Sequence, residues 1–253
     1  MEHTKLIALT GKGGVGKTTL SAAFVRILSE AEPSAKILAI DADPAIGLSI
    51  ALGVEVKETL DDLRKSIIDS AKEGKKQEAI ELLSEVRFKI FDALIEQDRF
   101  SFLAIGRPEG AGCYCAVNAY LKEVIEMVSR EFDYVIIDGE AGIEQINRRV
   151  FEKVTHLIFV TDASTKGLNV VKSIKQVADE LVMYEKCGIV MNRVEDRSLL
   201  STMNIDSAQM LSVIDRDGKQ LQNDILGKSV YELEDDSVVL TGAKEALINM
   251  GLL

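Results

Sequence analysis

A chain of 253 residues with 47% hydrophobic content is long enough for one α/β core, and with no Trp and 5% aromatics that core is predicted to be aliphatic. A formal charge of −11 argues against a general nucleic-acid binder, which presents a basic face, and against docking on anionic lipid. Three cysteines, Cys113, Cys115 and Cys187, are too few and too unevenly spaced for a disulfide scaffold. With no apolar run of about 18 residues and no secretory pattern, the expectation is a soluble cytoplasmic protein.

The first apolar run, Leu6-Ile7-Ala8-Leu9, is a predicted strand, and Leu20 to Leu28 is helix-periodic. Between them Gly11 to Thr18 fits G-x-x-x-x-G-K-[ST], the phosphate-binding loop. Gly11, Gly13, Gly14 and Gly16 let backbone N–H groups approach phosphate oxygens, and the helix N-terminus adds its positive dipole end. Lys17 is placed to reach the β- and γ-phosphates, the Thr18 hydroxyl to ligate Mg²⁺, and Val15 and Thr19 complete the nucleotide-contacting run. Lys12 is a second lysine inside the loop that the generic motif does not require.

Lys36 to Ile40 reads as a buried second strand ending in Asp41-Ala42-Asp43-Pro44. Asp41 and Asp43 fall on the same side of an extended strand end, where open α/β sheets place their ligands. From about Thr59 to Gln97 the chain is charged and helix-periodic, through Leu60, Leu63 and Ile67 and then Ile80, Leu83, Val86, Ile90 and Leu94. That is a peripheral helical insertion, over residues 59–97, in what is otherwise a single domain spanning 1–253.

A third strand, Phe102-Leu103-Ala104-Ile105, leads into a loop holding Cys113-Tyr114-Cys115. Cys-x-Cys brings two thiolates close enough to bind one soft metal ion, but two make an incomplete shell. His3 and His156 are the only imidazoles and neither is near in sequence, whereas a two-fold dimer would supply four thiolates. Tyr134 to Asp138 is four apolar or aromatic residues and then an acid, a Walker B strand whose Asp138 helps hold Mg²⁺ through water. Gly142 closes the segment that follows, where a backbone N–H can sense the γ-phosphate.

Leu157-Ile158-Phe159-Val160 is the fifth predicted strand, ending at Thr161-Asp162, with Ser164 and Thr165 as caps of a helix through Val182. Gly188-Ile189-Val190-Met191 is the sixth, ending at Asn192, whose amide is placed to read adenine; Cys187 reads as a small apolar core residue. Ala243 to Met250 is a terminal helix without the basic amphipathic face of a membrane-targeting tail. Six strands alternating with helices predict a doubly wound, mostly parallel sheet with helices on both faces.

The loop Lys12 to Thr19 resembles the deviant motif K-G-G-x-G-K-T-T of the ATPase family that includes nitrogenase iron protein, the ParA and MinD partition ATPases, arsenite ATPase and the nickel-insertion ATPases of carbon monoxide dehydrogenase. The resemblance implies a P-loop fold binding ATP or ADP with Mg²⁺, and a nucleotide-dependent homodimer in which Lys12 reaches the partner's nucleotide. It implies that Asp43 orients the attacking water, that Asp41 holds the Mg²⁺ shell, and that Lys12 and Lys17 stabilise phosphate charge during hydrolysis. It also implies that Ile225-Leu226-Gly227 is the family's last strand and that Asp235-Asp236-Ser237 lies beside the nucleotide. Nitrogenase-type members carry a second cluster cysteine just after the Walker B strand, and this chain has none there. Cys113-x-Cys115 and the run Asp138-Gly139-Glu140-Ala141-Gly142 resemble the nickel-insertion type instead. That type implies a metal, Zn²⁺ or Ni²⁺, bridging two chains through Cys113 and Cys115, and a client such as carbon monoxide dehydrogenase or acetyl-CoA synthase, with neither nucleic acid nor membrane as partner. A ParA- or MinD-like positioning ATPase and an iron–sulfur reductase component are the alternatives.

Overall fold

The computed structural model describes residues 4–43, 45–63, 65–66, 90–91, 93–106, 125–139, 153–202 and 209–253. Its strands are β1 (Lys5–Gly11), β2 (Ile37–Asp41), β3 (Ile95–Glu96), β4 (Ser101–Ala104), β5 (Tyr134–Asp138), β6 (His156–Thr161), β7 (Lys186–Val194) and β8 (Gln209–Asp215). Its helices include α1 (Lys17–Ala31), α2 (Gly47–Leu52), α3 (Thr165–Leu181), α4 (Gly218–Leu226) and α5 (Val238–Met250).

The strands form one sheet in the order β3-β4-β2-β5-β1-β6-β7-β8. Every pairing is parallel except the short edge contact of β3 with β4. β1 is flanked by β5 and β6, so the chain winds outward from it first to one edge and then to the other. A reversal of that kind opens a crevice at the carboxyl ends of the central strands, where ligands bind in such sheets.

Parallel strands covered on both faces read as near-continuous apolar runs, and β2, β5 and β6 are buried along their whole length. Because side chains alternate, each strand feeds two cores. On one face Ile37 and Ala39 pack with Ile7, Leu9, Leu20 and Phe24, under α1 and α5. On the other, Leu38, Ile40, Val135, Ile137 and Phe159 meet Val171, Ile174 and Ala178 of α3. The predicted doubly wound sheet with helices on both faces is present, and its filling is aliphatic apart from a few Phe and Tyr side chains.

Several boundaries differ from the sequence expectation. Ile225-Leu226 is no strand. It ends α4, a helix started by Asp217, whose carboxylate accepts from the amides of Lys219 and Gln220, and stopped by Gly227 in the left-handed region. The last strand is β8, whose central residues Leu211, Ser212 and Ile214 are buried. Of the 59–97 insertion, residues 60–63, 65–66, 90–91 and 93 are helical, Ile95–Glu96 is the edge strand β3, and the stretch between 66 and 90 lies outside the described residues. The described helical pieces contribute to the core, because Leu60, Leu63 and Ile90 are buried in the second cluster. In the segment expected beside the nucleotide, Asp235 pairs with the buried Arg26 guanidinium of α1, and Ser237 caps α5 by accepting from the Leu240 amide.

Candidate functional site

The turn between β1 and α1 needs its glycines. Gly11 has φ +142°, and a Cβ there would lie 2.0 Å from the Val160 carbonyl oxygen. Gly16, at φ +90°, is the residue from which α1 starts, and a Cβ on it would lie 2.6 Å from Asn192 Nδ2. Side chains are excluded so that backbone can turn and come close, as phosphate binding requires. Lys17 is 7% exposed, and its ammonium donates to the Lys12 carbonyl at 3.1 Å, lying across the loop.

Lys12 points elsewhere. Its ammonium forms an ion pair with Asp162, just past the end of β6. Asp162 also accepts from the Ser164 hydroxyl at 2.5 Å. Burial pushes the Asp162 carboxyl up, but the bonds from Lys12 and Ser164 more than offset this and leave it below the ordinary carboxylate range.

Asp41 and Asp138 lie directly across from each other in the β2–β5 register, both with no exposed surface. Asp41 grips the segment that follows it. Oδ1 accepts from the Asp43 amide at 3.1 Å and Oδ2 from the Leu48 amide at 2.9 Å. Burial and then the Asp138 charge push the Asp41 carboxyl up to about 7, with the two amides pulling the other way. The Asp138 carboxyl is pushed up to about 6 by burial, opposed by Thr18, Ser21 and Lys17. Its Oδ1 accepts from the Ser21 hydroxyl at 2.9 Å, and its Oδ2 is buried without a hydrogen-bond partner. Asp43 turns the chain by accepting from the Ala45 amide at 2.9 Å, and three residues later Ile46, β-branched, is held at φ 52°. A β-branched residue there is strained, which marks the loop as one whose neighbours over-determine it.

Two cavities meet at the loop. One of about 410 Å³ is lined by Gly13, Lys17, Thr18, Asp43 and Gly47, among others. The other, about 270 Å³, is lined by Gly16, Thr19, Asn192, Asp215, Gln220 and their neighbours. Arg193 and Asp224 border both. The first has the cation, hydroxyl and carboxylate that a triphosphate and its metal require; the second, beyond α1, has room for a base. Asn192 stands at that second cavity, and its amide is already engaged: Nδ2 donates to the Val15 carbonyl at 2.8 Å and Oδ1 accepts from the Arg193 amide at 2.9 Å. With Arg193, which donates to the Gly14 carbonyl at 2.7 Å, it braces the loop from below. A planar amide keeps one N–H and one lone pair for a base.

The structure thus brings Lys12, Lys17, Thr18, Asp41, Asp43, Asp138 and Asn192 to one end of the sheet. Cys113, Cys115 and Gly142 lie outside the described residues. Cys187 is half-buried and packs against the second core. Among the described residues no three His, Cys, Asp or Glu side chains are grouped to hold a metal ion, and no helix is long and apolar enough to cross a membrane. Sequence reasoning missed Ser21 and Asp162. The spacing from Thr18 to Ser21 puts both hydroxyls on one helix face, the only sequence signal for the former; for Asp162 there was only its place after a central strand.

A family model described as an AAA domain matches residues 4–186. An uncharacterized ATP-binding protein of Methanocaldococcus jannaschii is 36% identical over 230 residues, covering 90% of this chain and 85% of that one. The carbon monoxide dehydrogenase accessory protein CooC of Rhodospirillum rubrum is 27% identical over 223 residues, covering 80% and 84%. Among solved structures, the septum site-determining protein MinD of Pyrococcus horikoshii, complexed with Mg-ADP, superposes with a TM-score of 0.66 at 21% identity, over 96% of this chain and 94% of that one, a likeness of fold. With the phosphate loop, its extra lysine and the two strand-end aspartates in place, the chain belongs to the AAA-domain family of P-loop ATPases, of the ParA/MinD-like kind.

Proposed function

We propose that this chain is an ATPase whose MgATP-bound form pairs with a second copy of itself, and that the pair serves the maturation of a metal centre in a client enzyme. The observation that carries the ATPase reading is the convergence of Lys17, Thr18 and Asp43 on one cavity, with Asp138 behind them. Loop amides and Lys17 hold the β- and γ-phosphates. The residues present fit Mg²⁺, a hard cation that takes oxygen ligands and keeps several waters: a Thr18 hydroxyl stands beside Asp138, whose Oδ2 is buried with no partner of its own. When bound, the ion would neutralise charge on the phosphates. Asp43, at the cavity wall, orients the attacking water, while Asp41 holds Asp43 and the start of α2 in place. Lys12 leaves Asp162 to reach the partner's nucleotide, which makes pairing dependent on nucleotide.

The metal arm is supported by Cys113-x-Cys115 and by the likeness to CooC over 80% of the chain. Four thiolates from two chains suit Zn²⁺ or Ni²⁺, and a carbon monoxide dehydrogenase-like enzyme is the proposed client. The test is anaerobic metal analysis across a size-exclusion profile. Wild type is expected to carry a metal ion shared by each pair, and the double variant Cys113→Ala/Cys115→Ala to carry none. Unchanged metal content in the double variant contradicts the reading.

The MinD-like fold supports a second reading, a positioning ATPase. Against it, α5 turns Ala243, Ala246, Leu247 and Met250 into the core, so that this face is not available to a bilayer. ATP-dependent co-sedimentation with liposomes or DNA would transfer the proposal to that class.

A further inference from the structure

We propose that Ser21 is a positioning residue that assigns the two oxygens of Asp138 to different tasks. Ser21 sits one helical turn beyond Thr18 on α1 and has no exposed surface. Its hydroxyl donates to Asp138 Oδ1 at 2.9 Å, and that carboxylate is itself fully buried. Oδ2 has no donor within hydrogen-bond distance, while the Thr18 hydroxyl acts on the same carboxylate and, with Ser21, opposes the upward push of burial. A buried carboxylate oxygen left without a partner is costly, so its persistence points to a ligand that completes it.

The terminal torsion of an aspartate is broad and roughly two-fold, so packing alone does not select an orientation. A donor fixed on one side does. With Oδ1 held by Ser21, Oδ2 would be the oxygen left to accept from a water of the bound metal, and the Thr18 hydroxyl would be left to the metal. Without Ser21, Thr18 would be the one helix hydroxyl still acting on Asp138, and the carboxylate would compete with the metal for it. Ser21 touches neither nucleotide nor metal; it acts through Asp138. This rests on the MgATP reading of the site given above.

The test is fluorescence titration of a mant-ATP probe with Mg²⁺ on the full chain, beginning from EDTA. For Ser21→Ala the Mg²⁺ concentration that gives half-maximal tightening is expected to rise about 10-fold, the usual effect of losing a group that orients a metal ligand. Affinity for the probe in EDTA is expected to stay at the wild-type value. Ser21→Thr, which keeps the hydroxyl, is expected to restore the Mg²⁺ dependence. A Ser21→Ala titration with wild-type Mg²⁺ dependence would overturn the proposal, as would an equal loss with and without the metal. If Ser21→Thr behaves as Ser21→Ala, a structural role replaces the positioning one. A wild-type chain that binds the probe without regard to Mg²⁺ overturns the MgATP reading itself, whatever Ser21 does.

Discussion

His156 opens β6 as a buried side chain, its Nδ1 2.7 Å from the Thr155 hydroxyl oxygen. Burial first, and then Lys186 and Lys5, push it down to about 4. A histidine whose folded value lies below the unfolded 6.5 takes up a proton on unfolding, so its stabilisation is complete above pH 6.5 and fades as pH falls toward 4. Asp41 and Asp138 act in the opposite sense. Raised from 3.8 to about 7 and about 6, they favour the fold when protonated and cost stability as pH rises through those values. Thermal melts of the metal-free protein across pH should therefore show His156→Gln with a weaker acid limb than wild type. Asp138→Asn should be more stable than wild type at pH 8, by on the order of 1–3 kcal/mol, while losing its Mg²⁺-dependent nucleotide binding. At the chemistry itself, Asp43→Asn should retain nucleotide and slow hydrolysis by about 100- to 10,000-fold, measured as phosphate release. The loop lysines and strand-end aspartates were legible because a motif places them by spacing. Ser21 was not, since a serine inside a helix looks neutral until the strand carrying Asp138 is set against it.

At the scale of elements, α1 is joined to both site and core: Lys17 and Thr18 open it, and Leu20, Phe24 and Leu28 are fully buried. Phe24→Ala should cost about 3–5 kcal/mol in denaturant unfolding, the range for emptying a large core position. Ser164 caps α3 by accepting from the Gly167 amide at 2.9 Å and donates to Asp162 as well. Ser164→Ala should cost about 1 kcal/mol through the lost cap. The central strands could be read from apolar runs because burial on both faces demands them. The outer elements could not. The pair Ile225 and Leu226, both largely exposed, imitates a short strand, and only the Asp217 cap and the Gly227 stop reveal a helix. β3 is two residues long, too short to leave a pattern.

For the whole molecule, the sequence signalled a doubly wound sheet but not its strand order, since the placing of β1 between β5 and β6 rests on pairings more than a hundred residues apart. That order is what lays Asp41 beside Asp138 and Asp162 beside the phosphate loop. It also explains how a lysine proposed to act in a partner is kept in a single chain, paired with Asp162 beside its own loop. Nucleotide is proposed to draw Lys12 out of that ion pair and into a dimer. The most direct test is size-exclusion chromatography with light scattering on Asp43→Ala, slowed in hydrolysis, with MgATP or MgADP, alongside the same variant carrying Lys12→Ala. Asp43→Ala is expected to show twice the monomer mass with MgATP only, and monomer mass in every other case. A monomer throughout, or a dimer that persists without Lys12, would contradict it.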